Sequence, residues 1–227
     1  MARSLRVVIT SGPTREPVDP VRFVSNYSSG YMGARLAAES LHRGHRVTVI
    51  RGPGSEALPA AVRVVPVERA LEMEAALRRE ARRADVVIMA AAVADFQPVA
   101  VRPVKWPRRG RLTLSLRATP DIIKRLPRRP GQIRVGFALE TGPAALQRAV
   151  RKLRDKQLDL LLAQRASAAR PPFGRRPVRA WVLGRDGSAT PLGVASKSAV
   201  ARVLLDKIET LWYGQPESLT TRHVAKT

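Results

Sequence analysis

Leu5-Arg6-Val7-Val8-Ile9-Thr10-Ser11-Gly12-Pro13-Thr14-Arg15-Glu16-Pro17-Val18-Asp19-Pro20-Val21-Arg22-Phe23-Val24-Ser25-Asn26-Tyr27-Ser28-Ser29-Gly30-Tyr31-Met32-Gly33 is the stretch on which the fold turns. Its first five residues are a short apolar run closed by Thr-Ser-Gly, as a central parallel strand requires. From about Met32 a helix is predicted, with Leu36, Ala37 and Leu41 among its apolar positions and Gly44 as a left-handed cap after His42-Arg43. Arg46-Val47-Thr48-Val49-Ile50 is the next strand, so the segment is a βαβ unit with a right-handed crossover. The first strand–helix junction of such a unit normally takes a few residues. Here it is long and rich in Gly, Pro, Ser, Thr and Asn, and it reads as a binding loop.

Working outward, the pattern continues with a short strand over 62–67 and an amphipathic helix over 70–83. Residues 84–90 form the most apolar strand and pass into Ala91-Ala92-Val93-Ala94-Asp95-Phe96. Small side chains at a strand's carboxyl end let a ligand approach the backbone, and that end is where open α/β sheets bind ligands. Composition alone is equally satisfied by close helix–strand packing at Ala90, Ala91 and Ala92. Residues 97–111 are proline-rich and basic, an arm or flap rather than a core element. Leu112 to Leu116 alternates as a half-exposed strand, and Thr119-Pro120 reads as an N-cap followed by the first helical position. A buried strand at 133–139, a basic helix at 143–156, strands at 158–163 and 180–183, and a helix at 196–211 complete the chain. The expected class is α/β, Rossmann-like, with a mainly parallel sheet flanked by helices and a basic flap. Residues 1–213 are expected to form one domain, and 214–227 a polar, disordered tail.

The chain has 227 residues, of which 44% are hydrophobic, enough for a sizeable core. It shows neither a run of eighteen apolar residues nor an apolar leader, so a cytoplasmic location without membrane contact is expected. The absence of cysteine excludes disulfides, a thiol nucleophile and a Cys-ligated zinc site, and the three histidines have no ligand spacing. Lys and Arg number 41 against 18 Asp and Glu, a net charge of +23 that attracts polyanions. The basic residues are spread over the whole length, however, and aromatics make up only 4%, which leaves few platforms for stacking bases. An arginine-rich surface on an enzyme with anionic ligands accounts for this better than a nucleic-acid partner does.

Ile9 to Pro17, with Asp19-Pro20-Val21-Arg22, Ser25-Asn26 and Ser28-Ser29-Gly30, resembles the signature of phosphopantothenoylcysteine synthetases, ligases of coenzyme A biosynthesis. Three more blocks stand in that family's order: Ala90 to Phe96, Pro120-Asp121-Ile122, and Val135 to Thr141. The resemblance runs over about residues 5–210 and is far more specific than a lone glycine motif. It implies a homodimer and a CTP-using reaction with Mg²⁺, in which the carboxylate of 4'-phosphopantothenate attacks the α-phosphate of CTP. Cysteine then displaces CMP from the acyl-cytidylate. Such a step piles negative charge on one phosphorus, which cationic side chains and backbone N–H groups would stabilise. No flavin is expected in this chain. Many relatives are fused behind a flavin-dependent phosphopantothenoylcysteine decarboxylase, here expected, if needed, as a separate partner.

By position, the resemblance gives Asn26 and Arg22 to the acyl-phosphate intermediate. It gives Met89, Ala90, Ala91, Asp95, Pro120, Asp121, Ile122, Ile123 and Phe137 to the nucleotide. It gives Lys105 to a flap closing over the triphosphate or the transition state, and Lys152 and Lys156, four apart on one helix face, to the phosphates. Gly12, Thr14, Ser28, Ser29 and Gly30 are left to the pantothenate half; metal ligands are not identified. Taken singly, Asn26 could serve as a loop-turn residue, Asp95 as a helix cap, Phe137 as core, and the lysines as solvated charges. The sequence departs from the family pattern at Tyr31, at Lys105-Trp106-Pro107-Arg108, at Gln164-Arg165-Ala166-Ser167 and at Arg175-Arg176. These departures leave open an alternative, a basic nucleotide- or nucleic-acid-binding paralogue that keeps the fold without the chemistry.

Overall fold

A computed structural model describes residues 3–54, 56–167 and 171–214; the tail expected at 214–227 lies almost wholly outside them. In chain order the elements are β1 (Arg6–Ser11), β2 (Arg15–Asp19), β3 (Arg22–Ser25), α1 (Tyr31–His42), β4 (Arg46–Arg51), β5 (Arg63–Pro66), α2 (Ala70–Glu80) and β6 (Val86–Met89). There follow β7 (Phe96–Pro98), β8 (Leu116–Ala118), α3 (Ile122–Arg125), β9 (Ile133–Glu140), α4 (Ala145–Asp155), β10 (Leu160–Arg165), β11 (Val178–Gly184), β12 (Ala189–Ala195) and α5 (Lys197–Tyr213).

Eight strands form the main sheet in the order β12-β11-β10-β9-β6-β1-β4-β5. The six from β10 to β5 are parallel, in the order of a doubly wound Rossmann sheet, while β11 and β12 add an antiparallel edge. From β1 the chain first builds outward to β4 and β5, then returns to place β6 on β1's other side. That reversal opens a crevice beyond the carboxyl ends of β1 and β6.

Alternate side chains of the parallel strands face opposite layers, so the apolar runs supply two cores. Ile9, Val49, Ile88 and Leu162 meet α1 and α5, whereas Val8, Ile50, Val87 and Leu161 meet α2, α3 and α4. Each fully buried aliphatic side chain contributes about 1.5–3 kcal/mol by leaving water. Helices α1 and α5 are further tied by Arg43, which reaches Glu39, Asp206 and Glu209, and by His45, whose Nε2 lies 3.0 Å from Glu209.

The structure corrects three local expectations. The long polar loop contains the antiparallel hairpin β2–β3, which the Gly/Pro content hid. The strand placed at Leu112 to Leu116 is laddered only from Leu116, where β8 pairs with β7 at the root of the basic arm. Asp121, rather than Thr119, is the N-cap of α3; the Thr119 hydroxyl donates instead to Ala94 O. The left-handed glycine after α1 is found as expected, with Gly44 at φ 78°.

Candidate active site at the switch point of the sheet

The end of β1 and the end of β6 are laced together before they form any cavity. Ala91 N–H donates to Thr10 Oγ1 at 3.2 Å, and Ala94 N–H to Thr14 Oγ1 at 2.9 Å. Ala92 N–H donates to Gly12 O at 2.9 Å, and Thr14 N–H returns to Ala92 O at 3.3 Å. Gly12 adopts φ 81°, the left-handed conformation that glycine takes at least cost. The Ser25 hydroxyl donates to Thr14 O at 2.7 Å, and Asn26 Nδ2 to Val93 O at 2.9 Å. Buried threonines are useful here because a hydroxyl satisfies an irregular strand end that has lost its ladder partner.

In front of this wall lies a cleft of about 830 Å³. It is lined by Asn26, Met89, Ala91, Asp95, Pro120, Asp121, Ile122, Ile123, Phe137, Lys152 and Lys156, together with Tyr27, Thr119 and Phe173. Asn26 and Phe173, 147 positions apart in sequence, thus share one cavity. Ile122 and Ile123 are buried and pin the short helix α3 to the core, so their place in the cleft is largely that of a wall. Lys152 Nζ sits 2.6 Å from Glu140 Oε1, and Lys156 Nζ 3.1 Å from Asp121 Oδ2. Each lysine is thus paired with a carboxylate at the cleft edge, Lys156 half-buried and Lys152 exposed.

A smaller pocket of about 180 Å³ adjoins the first and is lined by Ser28, Ser29, Gly30, Ala90, Gln164 and Lys197, among others. Tyr27, Ala91, Ala92, Phe137, Leu139 and Phe173 line both spaces. The Tyr27 and Phe173 rings lie 5.6 Å apart. Gly12 and Thr14 line neither space and act from behind the wall. Arg22 and Lys105 also lie outside both linings. Arg22 donates to Trp106 O at 2.8 Å and lies 3.5 Å from Asp19, whose other contacts include the Trp106 N–H at 3.1 Å. Trp106 is additionally covered by the Arg102 guanidinium, 4.4 Å from its ring centroid. The flap carrying Lys105 is thus rooted on the β2–β3 hairpin, with Lys105 exposed one residue from the root.

Lys197 was invisible to sequence reasoning because it reads as an ordinary polar residue at the start of a helix. It is buried, and burial pushes its amine down to about 8, partly offset by Glu56. Phe173 and Tyr27 were missed because they are isolated aromatics in loops. For Glu140, burial raises the carboxyl's pKa, but hydrogen bonds from Lys152 and Arg148 outweigh it and hold the value below normal. A carboxylate with a depressed folded value stabilises the fold above its unfolded value, 4.5, and loses that contribution as pH falls through the folded one. Glu140→Gln should therefore lower Tm at pH 7 and flatten the acid limb of a Tm–pH curve below about pH 4.5; an unchanged limb would show that the trio contributes nothing.

Among the described residues no three acidic or histidine side chains converge as a metal cage. Asp95 and Asp121 are the carboxylates in the cleft lining. That donor set suits a Mg²⁺ ion brought in by polyphosphate, which needs only one or two protein carboxylates.

Fold and site together define a Rossmann-ordered α/β protein with a lysine-bearing cleft at the switch point of its sheet, suited to a phosphorylated ligand. The chain belongs to the family of the DNA/pantothenate metabolism flavoprotein C-terminal domain, whose pattern matches residues 2–211. It is 40% identical over 208 residues to the coenzyme A biosynthesis bifunctional protein CoaBC of Bacillus subtilis, covering 90% of this chain and 51% of that protein. It is also 37% identical over 211 residues to a cysteine/cysteine sulfinic acid decarboxylase of an unknown prokaryotic organism, covering 91% of this chain and 58% of that one. The chain spans about half the length of the curated relatives it matches. A crystal structure of the C-terminal domain of CoaBC superposes with a TM-score of 0.79 at 32% identity, covering 94% of this chain and 98% of that one. No described helix is long and apolar enough to cross a membrane.

Proposed function

We propose that the chain is a phosphopantothenate–cysteine ligase that uses CTP to activate 4'-phosphopantothenate as an acyl-cytidylate, from which cysteine displaces CMP. The observation that carries the reading is the single cleft in which Asn26 stands with Asp95, the Pro120 turn, Phe137, Lys152 and Lys156. Membership of a pantothenate-metabolism family and likeness to the C-terminal domain of CoaBC support the choice of substrate.

In this reading the base and ribose lie along Phe137 and the Ala91–Asp95 strand end, where small side chains bring a ligand against the backbone. Lys152 and Lys156 turn from their carboxylates to the phosphates, and Lys105 comes in with the flap. Mg²⁺, when bound, neutralises phosphate charge, with Asp95 or Asp121 as its protein ligand. Asn26, held by Val93 O, keeps its amide oxygen available and brings no charge to the acyl phosphate. Ser28, Ser29 and Gly30 in the smaller pocket are left for the pantothenate half. The direct test is pyrophosphate release by the purified protein from CTP with 4'-phosphopantothenate, run in parallel with ATP, followed by amide formation on adding cysteine. Release of no pyrophosphate with any nucleotide, together with tight, salt-sensitive nucleic-acid binding, would favour the paralogue without the chemistry.

Lys105→Gln should reduce the rate of pyrophosphate release about tenfold while leaving CTP affinity within a few-fold, because a flap cation acts mainly on charge that develops in the transition state. Single-turnover kinetics with a separate CTP titration check this, and an unchanged rate would make Lys105 a solvated loop lysine.

The reading includes a homodimer. Val21 and Phe23 on the hairpin, and Phe96, Val99, Val104, Leu114 and Leu116 on the arm, are exposed in the single chain. An apolar patch of this kind is typical of a surface that another chain covers. Sedimentation velocity should give twice the chain mass, falling to the chain mass for Leu116→Glu.

A further inference from the structure

Lys197 occupies the first turn of α5, directly after the Ser196 N-cap. This is a poor place for a cation. The helix N-terminus already carries partial positive charge, and the side chain is buried with only 6% of its surface exposed. Its salt-bridge partners among the described residues are none, Glu56 acting on it only at longer range and pairing with Arg175 at 3.5 Å. A methionine would fill the same volume without the desolvation cost. What the amine does instead is donate to two backbone carbonyls, Pro172 O at 2.8 Å and Gly174 O at 2.7 Å.

Those two carbonyls flank Phe173. The ring between them packs on Tyr27, the neighbour of Asn26, and lines both the nucleotide cleft and the smaller pocket. On its other side the ammonium lies 6.0 Å from the Tyr31 ring, which Arg35 and Arg175 also approach. The loop after β10 has no ladder of its own at this point. A rigid helix terminus therefore holds it by two hydrogen bonds, beside the Phe173–Tyr27 ring contact and the Arg175–Glu56 ion pair.

We infer that Lys197 is a positioning residue: by clamping the carbonyls on either side of Phe173, it fixes the aromatic wall shared by the two pockets. The wall sets how the space read for the nucleotide meets the space left for the pantothenate half. The inference rests on the ligase reading for its catalytic consequence, but its structural content stands without it. A clamp of this kind acts through Phe173, so loss of either residue should have the same effect and loss of both should add nothing.

The test uses the full chain with Lys197→Met, Lys197→Arg, Phe173→Ala and the double variant Lys197→Met/Phe173→Ala. Limited trypsinolysis at the Arg175–Arg176 bond reads the loop directly. Lys197→Met should be cut at least tenfold faster than the wild type, with Lys197→Arg close to wild type because it restores both donors. In kinetics of pyrophosphate release, Lys197→Met should raise KM for CTP and for 4'-phosphopantothenate about tenfold, more than it lowers kcat, with Lys197→Arg close to wild type. Phe173→Ala should show the same split, and the double variant no further loss. Wild-type protection in Lys197→Met, or multiplicative losses in the double variant, would overturn the clamp. Should Lys197→Met not fold, the comparison of Lys197→Arg with Phe173→Ala decides the matter: a permissive Lys197→Arg with a split in Phe173→Ala supports it, and the reverse pattern sinks it. An absence of ligation in the wild type would refute the proposed function while leaving the proteolysis result to judge the clamp.

Discussion

Asn26→Asp is expected to leave CTP binding and pyrophosphate release within about threefold of wild type and to slow amide formation by about a hundredfold or more, a barrier increase of about 2.7 kcal/mol. Two physical effects act together. The amide nitrogen that donates to Val93 O at 2.9 Å is replaced by an acceptor, so two oxygens face each other and the side chain swings away. The new carboxylate also places a negative charge beside the acyl phosphate, which repels it and discourages the attack that expels CMP. The nucleotide contacts assigned to Asp95, Pro120, Lys152 and Lys156 are on other elements and should survive. Burst measurement of pyrophosphate against product formation separates the steps. A variant that lost CTP binding instead would place Asn26 in the nucleotide subsite.

Gly52→Ala should produce the largest loss of stability among single-methyl changes near the site, about 3 kcal/mol or more by overpacking and backbone displacement. Gly52 follows β4 and donates its N–H to Ser11 O at 2.9 Å. A Cβ at this position would overlap the Pro13 carbonyl oxygen, and neither backbone can yield, because Pro13 lies in the segment that laces β1 to the end of β6. The neighbouring contact is tight as well, since a Cβ on Gly12 would stand 2.8 Å from Gly52 O. Thermal unfolding at fixed pH checks the figure. A Tm within a degree of wild type would mean that the two crossing loops are far looser than their geometry implies. Because the affected backbone carries Thr14 and Ala92, nucleotide affinity should fall along with Tm.

The main lines of the sheet were legible because the parallel strands are mostly apolar runs bounded by Gly, Pro or polar residues, and because Met32 and Leu36 in α1, and Met73 and Leu77 in α2, repeat at helical spacing. The hairpin β2–β3 was not legible. Pro17, Asp19 and Pro20 suppress the strand signal, and the ladder is broken by a register shift between Pro17 and Asp19. Likewise β12 contains Pro191 and Gly193, which only an edge strand tolerates. At the site, the positions carried by recognisable blocks mostly share the cleft, while Phe173 and Lys197 carry no spacing that marks them. Their roles depend on which carbonyl or ring lies opposite, and that is settled by tertiary packing alone. Lys105 and Arg22 show the converse: the sequence pattern places them in the reaction, whereas the structure roots their flap on Asp19 and Trp106, outside the cleft lining.

The lysine–carboxylate pairs in the cleft have a consequence for how an anion enters it. The chain carries a net charge of +23, yet the charged side chains lining the cleft are two lysines and two aspartates, with Glu140 bound to Lys152 from the side. The pocket is close to electrically balanced while the outer surface is not. A polyphosphate is therefore drawn toward the molecule by a diffuse field that salt screens. In the proposed ligase a polyphosphate that enters would be captured by exchange: each lysine would trade one anionic partner for another, releasing Glu140 and Asp121 to other donors. Capture by exchange returns part of the energy of the broken pairs with every departing product, so a cleft built this way favours turnover over retention.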